Sequence, residues 1–260
     1  NLFNTFLYVP ILNLLILIYN ILPLKDMGIA IILLTVILKL VLWPLSKQQI
    51  EAQKKMKELQ PKIAEINKKY KGDAQKRGSE TMRLYKENKA NPASSCLPIL
   101  VQLPILWAVF KVFQNGFKPE ALDKLYGFIG KPEIIDKFFL NIHYFDLSQP
   151  NILLTVITAA VQFWQTKMLS TAKPAVDSPG AKDEGMQAVL NKQMIYLMPA
   201  ITLFIGLKLP SGLMLYWLVS TLLMGVQQWW QFRENSNLKT QISTCLIGSP
   251  PKRRKPQLKT

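Results

Sequence analysis

Read for its apolar and polar positions, the chain is a series of long apolar runs separated by charged or broken stretches. The first run, residues 2–22, is interrupted by Asn4, Pro10, Asn13 and Asn20. It suits an amphipathic helix in the membrane interface, or an extra span that crosses and returns through residues 23–27. The interfacial helix over 1–27 is the reading taken. The second run, 28–45, covers about 27 Å as a helix, close to a bilayer's hydrocarbon thickness. Further runs at 94–114, 151–169, 193–209 and 210–232 bring the predicted spans to five. The last two abut, with only residues 208–212 between their apolar stretches (Met194–Leu207 and Leu213–Phe232), which predicts a tight antiparallel pair. The pattern is that of an all-α, polytopic membrane protein.

Between these runs the character changes abruptly. Residues 46–93 predict a basic helical hairpin in water. Within them, Ser46 to Asn91 hold thirteen Lys/Arg against six Asp/Glu, a net of +7. Met56, Leu59, Ile63, Ile66 and Tyr70 recur at steps of 3, 4, 3 and 4, a helical stripe. Lys71-Gly72-Asp73 breaks the first helix, Asp73 opens a second, and Pro61 kinks or restarts the first. The hairpin reads equally as a solvated spacer and as a docking surface. By contrast, the loop at 115–150 has four basic and five acidic residues from Gly116 on, a net of −1. The positive-inside rule then puts the hairpin in the cytoplasm and this loop outside. Tyr126, Phe138, Phe139, Tyr144 and Phe145 suit a membrane interface. Residues 170–192, rich in Ala, Pro, Gly and charges, predict a flexible cytoplasmic loop. The tail, 233–260, carries seven basic residues and one acidic, and reads as an irregular cytoplasmic end.

Several runs carry polar residues at membrane depth. Lys39 lies in the second, with Thr35 one turn before it. A charge there costs about 2.5–3.5 kcal/mol on insertion scales. Lys39 therefore either snorkels to the headgroups or faces a polar cavity. Gln102 lies in the next span. Thr155, Thr158, Gln162 and Gln165, spaced i, i+3, i+7, i+10, form one stripe on a helix otherwise apolar before its inner end. The last span carries Tyr216, Ser220 and Gln227 on one face, with Trp217, Thr221 and Gln228 beside them. Such groups often simply join helices, at about 0.6 kcal/mol each. Together with a charge, they better fit a water-filled groove open to the cytoplasm.

Composition adds limits rather than detail. The chain is 49% hydrophobic with a formal charge of +16, enough for one multi-span domain with modest parts outside the membrane. Cys96, Cys245 and the single His143 make neither a disulfide framework nor a metal-ligand pattern. HExxH, GxSxG, P-loop and GxGxxG motifs are missing, so no enzyme activity, cofactor or metal is expected. The chain opens at Asn1 without an initiating Met, and an upstream piece is expected. No Lys or Arg precedes Lys25, so a signal peptide's basic region is lacking there.

Four stretches, in order, carry a family resemblance: GIAIILLTVILKLVLWPLSKQQ, MKELQPKIAEINKKYKGD, KENKANPASSCLPILVQLPI and LPSGLMLYWLVSTLLMGVQQ. Each alone is weak; in this order and spacing they closely resemble the YidC/Oxa/Alb membrane protein insertases. The similarity runs from about Leu7 to Phe232. It implies a five-helix bundle around a hydrophilic groove that opens to cytoplasm and lipid and is closed outside. It implies nascent membrane proteins as substrates, the Sec translocon as a partner, and a bacterial cytoplasmic (inner) membrane location. The ribosome would be met through the hairpin and basic tail, and anionic lipids are also implied as partners. The family's positive groove residue corresponds to Lys39 and its threonine neighbour to Thr35. Gln102, Gln165, Tyr216 and Trp217 correspond to polar and aromatic groove positions. The lack of a large periplasmic domain resembles the short forms. One departure matters: the family usually has arginine at Lys39. A lysine is a point charge on a flexible stem, whereas arginine grips carboxylates bidentately. The competing classes are a small-solute transporter or channel and a membrane-anchored ribosome or nucleic-acid tether. No repeat relates the two ends of the chain, which weighs against the transporter.

Overall fold

The computed structural model describes residues 2–91, 97–115, 119–133, 135–140, 142–169 and 186–246. The predicted loop at 170–192, apart from its last residues, and the tail beyond 246 lie outside the described residues, as does Cys96. The chain is mostly helical. A π-helical turn, Asn4–Tyr8, runs into α1, Val9–Ile21. Pro23 then stops the helix, and Lys25 takes a left-handed conformation (φ 46°) before α2, Met27–Val41. Asp26 caps α2 by accepting from the Ile29 N–H at 2.8 Å.

The run predicted as one helix over 28–45 is broken. Its ladder ends at Leu42, and α3, Trp43–Lys69, leaves at 68° to α2. Pro44 explains the break: it has no N–H to continue the ladder and is pre-set for a first helical turn. Pro61, by contrast, sits inside an unbroken α3. Gly72, at φ 97°, turns the chain, and Asp73 caps α4, Ala74–Glu87, accepting from the Lys76 N–H. Met56, Leu59 and Ile63 of α3 and Tyr85 of α4 form the hairpin's small buried core. Three of the five residues in the predicted stripe are thus in it.

The other helices are α5, Leu97–Asn115, α6, Pro119–Leu122, α7, Ile152–Leu169, α8, Met186–Gly206, and α9, Ser211–Leu246. α8 begins before its predicted start. α9 runs on to Leu246, so the irregular tail expected from Arg233 is helical through that point. No proline interrupts it until Pro250. Within the loop between α6 and α7, Phe138–Phe139 (β1) pairs antiparallel with Ile142–Asp146 (β2), with a register shift between Phe138 and Phe139. This small hairpin is not visible in the apolar pattern. Among the described residues one helix, Asn4–Ile21, is long and apolar enough to cross a bilayer alone. α2 and α3 pass that test only as a bent pair, and Ile195–Gly206 is a shorter apolar helix.

The core lies toward one end. Its α2 members, Met27 to Leu34, and its α5 members, Ile105 to Phe113, come from the halves nearer the 115–150 loop. Those of α9, Leu213 to Tyr216, come from its first turns, and α1 is buried along Ile11, Leu12, Leu15, Ile16 and Tyr19. The loop itself is stitched to the helices. Asn13 of α1 donates to the Lys124 carbonyl and accepts from the Tyr126 N–H, Asn20 donates to Gly130, and the Tyr19 hydroxyl accepts from Asp136. Asp26 also accepts from the Leu140 N–H. Ser211 and Gly212, opening α9, give their N–H groups to the carbonyls of Gln149 and Leu147, which satisfies orphan donors of that helix end. At Gly28 the Phe139 ring lies where a Cβ would stand, 2.0 Å from it, so only glycine fits there. Phe139 is therefore part of this packing.

Candidate functional site

The buried side chains change character at a common level in the bundle. In α2 the apolar core ends at Leu34 and the next residue is Thr35. In α5 it ends at Ile105, with Gln102 one turn beyond toward the hairpin. In α7 it ends at Leu154, and Thr155 and Thr158 follow. In α9 it ends at Tyr216, after which Ser220, Thr221, Gln227 and Gln228 are buried. Past this level, toward the hairpin, buried positions on these helices are mostly polar, with Ala159 and Gly225 among the exceptions.

Each predicted residue has a definite place. Thr35 is fully buried, and its hydroxyl donates to the Ile31 carbonyl of its own helix at 2.7 Å. That bond spends its donor within the helix. Lys39, one turn on, is half-buried in the last turn of α2, where its charge meets the negative end of the helix dipole. Among the described residues it has no hydrogen-bond or ion-pair partner. Gln102 donates to the Tyr216 hydroxyl at 2.9 Å, joining α5 to α9 at the lower edge of the core. Ser220, also buried, lies one turn further along α9. Trp217, half-buried, lies next in the chain, and its carbonyl accepts from Thr221.

The α7 stripe is shared among neighbours. Thr155 and Thr158 donate to Asn151 and Leu154 of the same segment, and Thr158 also approaches the Met214 carbonyl of α9 at 3.4 Å. Gln162 accepts a short bond from Thr202 of α8, and Gln165 donates to Gln228 of α9 at 3.4 Å. The structure thus brings Gln102 and Tyr216 together. It joins Gln165 to Gln228 instead, and leaves Lys39 without a protein partner among the described residues. Gln227 and Gln228 were legible as polar positions on the last helix. What the pattern did not reveal is that their amide nitrogens are buried without an acceptor among the described residues. Each such donor costs about 1–3 kcal/mol unless water or another group meets it.

At the opposite end, a cleft of about 630 Å³ is lined by Asn20, Lys25, Gly130, Lys131, Pro132 and Glu133, none of them a predicted site residue. Among the described residues no group of three His, Cys, Asp or Glu is placed to hold a metal ion.

A helical membrane protein packed with apolar side chains at one end and polar ones at the other is the class these features define. The family model described as 60Kd inner membrane protein matches residues 17–238, and the chain belongs to this family, the YidC/Oxa/Alb group of the resemblance. A relative from Fusobacterium nucleatum named membrane protein insertase YidC is 35% identical over 211 residues, 81% of this chain and 88% of its own length. One of the same name from Treponema denticola is 37% identical over 213 residues, and one from Chlamydia caviae is 34% identical over 221. Of these longer proteins the chain spans only 34% and 27%.

Proposed function

We propose that this chain is a membrane protein insertase that helps nascent membrane proteins enter the bilayer and fold. One observation carries the reading: a half-buried lysine without an anionic partner among the described residues, at the level where the bundle's buried side chains turn polar. The family membership and the names of the relatives support it. In this reading α2, α5, α7, α8 and α9 are the five spans, and α1 lies in the outer interface. The asparagines of α1 bonded to the 115–150 loop favour that position over a separate crossing. The hairpin and C-terminus are cytoplasmic, by charge.

The chemistry follows from the placement. A substrate helix with an acidic or polar tail must carry that tail through hydrocarbon. Water and a cation held part-way across shorten the apolar distance and stabilise the tail in passing. Lys39 supplies the charge, and Gln102, Gln165, Tyr216 and Trp217 the polar and aromatic wall, with Thr35 supporting the helix beside Lys39. The attraction has to stay weak and screened, or the substrate would not leave for the lipid. The sequence has no nucleotide site to drive release, so burial of the substrate's own apolar segment drives it. The Sec translocon, the ribosome (through hairpin and tail) and anionic lipids are the partners in this scheme.

The test is translation-coupled insertion of a single-span substrate into liposomes that contain only this protein. Protection of the substrate from added protease supports the reading. Solute flux without insertion would replace it with the transporter. Cysteines placed at Lys62 and Glu133 report orientation: labelling of the first from the cytoplasmic side and the second from outside is expected, and the reverse overturns the topology.

A further inference from the structure

α3 does more than lead to the hairpin. Near its start Trp43 packs against Trp230 of α9, ring centroids 6.2 Å apart. Fourteen residues later, about 21 Å along the helix, the Lys57 ammonium stands 5.5 Å from the Phe232 ring of that same α9. Two contacts that far apart on α3 but two residues apart on α9 mean that α3 crosses α9 at Trp230–Phe232 rather than running beside it. Between the two contacts Ser46, Gln49 and Ile50 are buried. The core of the hairpin begins beside the second contact, at Met56, and continues through Leu59 and Ile63.

Lys57 also reaches a third helix. Its ammonium donates to the Met168 carbonyl at 3.1 Å, across 111 residues of sequence. α7 ends at Leu169, so this carbonyl is among the last four of its helix, which lack an intrahelical donor. A lysine satisfies such a carbonyl and meets the negative end of the dipole together. The Phe232 ring face adds a cation–π contact. At its other end α3 joins α2 through the sharp break at Leu42, three residues from Lys39.

We propose that Lys57 is a positioning residue for insertion: it latches α3 across the polar end of the bundle, and α3 swings about the Leu42 break to admit a substrate. The proposal rests on the insertase reading above. The latch is weak by construction, one lysine at a helix end and one ring face. Its loss raises the undocked-to-docked ratio of α3 about four- to thirtyfold. Substrate arrival can compete with a contact of that strength.

The experiment uses the full chain in liposomes, with Cys96→Ser and Cys245→Ser as background. Lys57→Cys and Met168→Cys are bridged by a short bis-methanethiosulfonate spacer. The native contact is made at the end of a four-carbon stem, so the two backbones stand further apart than a direct disulfide spans. Insertion is expected to fall to background when bridged and to return on reduction. Full insertion by the bridged protein overturns the proposal. Separately, spin labels at Lys62 and Val226 read the docking of α3 without any insertion assay. Lys57→Gln should broaden their distance distribution, and Lys57→Arg, which still donates to the carbonyl and stacks on the ring, should restore it. An unchanged distribution in Lys57→Gln overturns the latch. If the unbridged protein inserts nothing while the label distances behave as stated, the insertase reading fails and the latch stands.

Discussion

The two ends of this bundle are built on opposite principles. The end nearer the 115–150 loop is overdetermined: Leu12, Met27, Ala30, Ile31 and Met214 are essentially inaccessible, and the loop's backbone is tied to side chains of α1 and α2 and to the backbone of α9. The end nearer the hairpin is under-satisfied. Among the described residues it has a lysine without a partner and two buried amide nitrogens without acceptors, and α3 is laid across it. One end resists change in packing; in the proposed function the other is completed by water or substrate. The difference teaches where to look for function: in the half that leaves its polar groups unmet.

The largest expected effects are losses of stability at the loop end. Leu147, 1% exposed, accepts the Gly212 N–H through its carbonyl and packs into the core through its side chain. Leu147→Ala should lower unfolding stability by about 2–5 kcal/mol, measured by denaturant unfolding in detergent. Gly28→Ala should cost about 1–3 kcal/mol, since the new methyl group meets the Phe139 ring. A loss below about 0.5 kcal/mol for both would mean that the loop end is not the rigid half.

Next come the Lys39 variants, where the comparison predicts that stability and function part company. Lys39→Leu removes a membrane insertion cost of about 2.5–3.5 kcal/mol and breaks no bond, so stability should hold or rise. Insertion of substrates with acidic tails should fall about tenfold in Lys39→Gln and further in Lys39→Glu, while Lys39→Arg retains it. Paired substrates differing only in those acidic residues provide the measurement. Equal yields across the Lys, Gln and Glu variants would leave Lys39 as a snorkelling residue.

How much of this was legible in the sequence depends on which half is considered. The polar face of α7 and the hairpin core were written in helical spacing, and both were read from it. Residues 28–45 were read as one helix because every position is apolar or tolerable there. The Pro44 signal was present, but composition outweighed it. The stitching at the loop end was not legible at all. Asn13, Asn20 and Asp26 look like ordinary breaks in an apolar run, and their partners lie more than a hundred residues away. Lys57 is likewise one of many hairpin lysines, and only the arrival of the α7 terminus beside it sets it apart. Thr35 shows the reverse: its alignment with the groove threonine says nothing of the bond it makes to its own helix.

The hairpin offers a control that touches neither end. Asp73 caps α4 through the Lys76 N–H at 2.9 Å, away from the bundle. Asp73→Ala should destabilise the hairpin by about 1 kcal/mol, read by hydrogen exchange along α4, and leave the bundle's exchange unchanged. Slower exchange than that in the variant, or matching loss at the loop end, would mean that hairpin and bundle are one cooperative unit.

The smallest expected effect lies on the boundary between the two ends, at Gln102 and Tyr216. Tyr216 is 2% exposed, yet its hydroxyl accepts from Gln102. Polar contacts between membrane helices average about 0.6 kcal/mol when measured by double-mutant cycles. If water reaches this level from the hairpin end, it replaces the lost amide, and the coupling between Gln102→Leu and Tyr216→Phe should be about 0.6 kcal/mol or less. If the boundary is dry, removing Gln102 strands part of the hydroxyl's capacity in an apolar setting, and the single change should cost about 1–3 kcal/mol. A cycle of the two variants, with stability measured in liposomes, separates these outcomes because the pair is in direct contact. A coupling well above 1 kcal/mol would move the dry half of the bundle down past Tyr216 toward Lys39. The hydrated region would then be confined to the turns around Gln227 and Gln228.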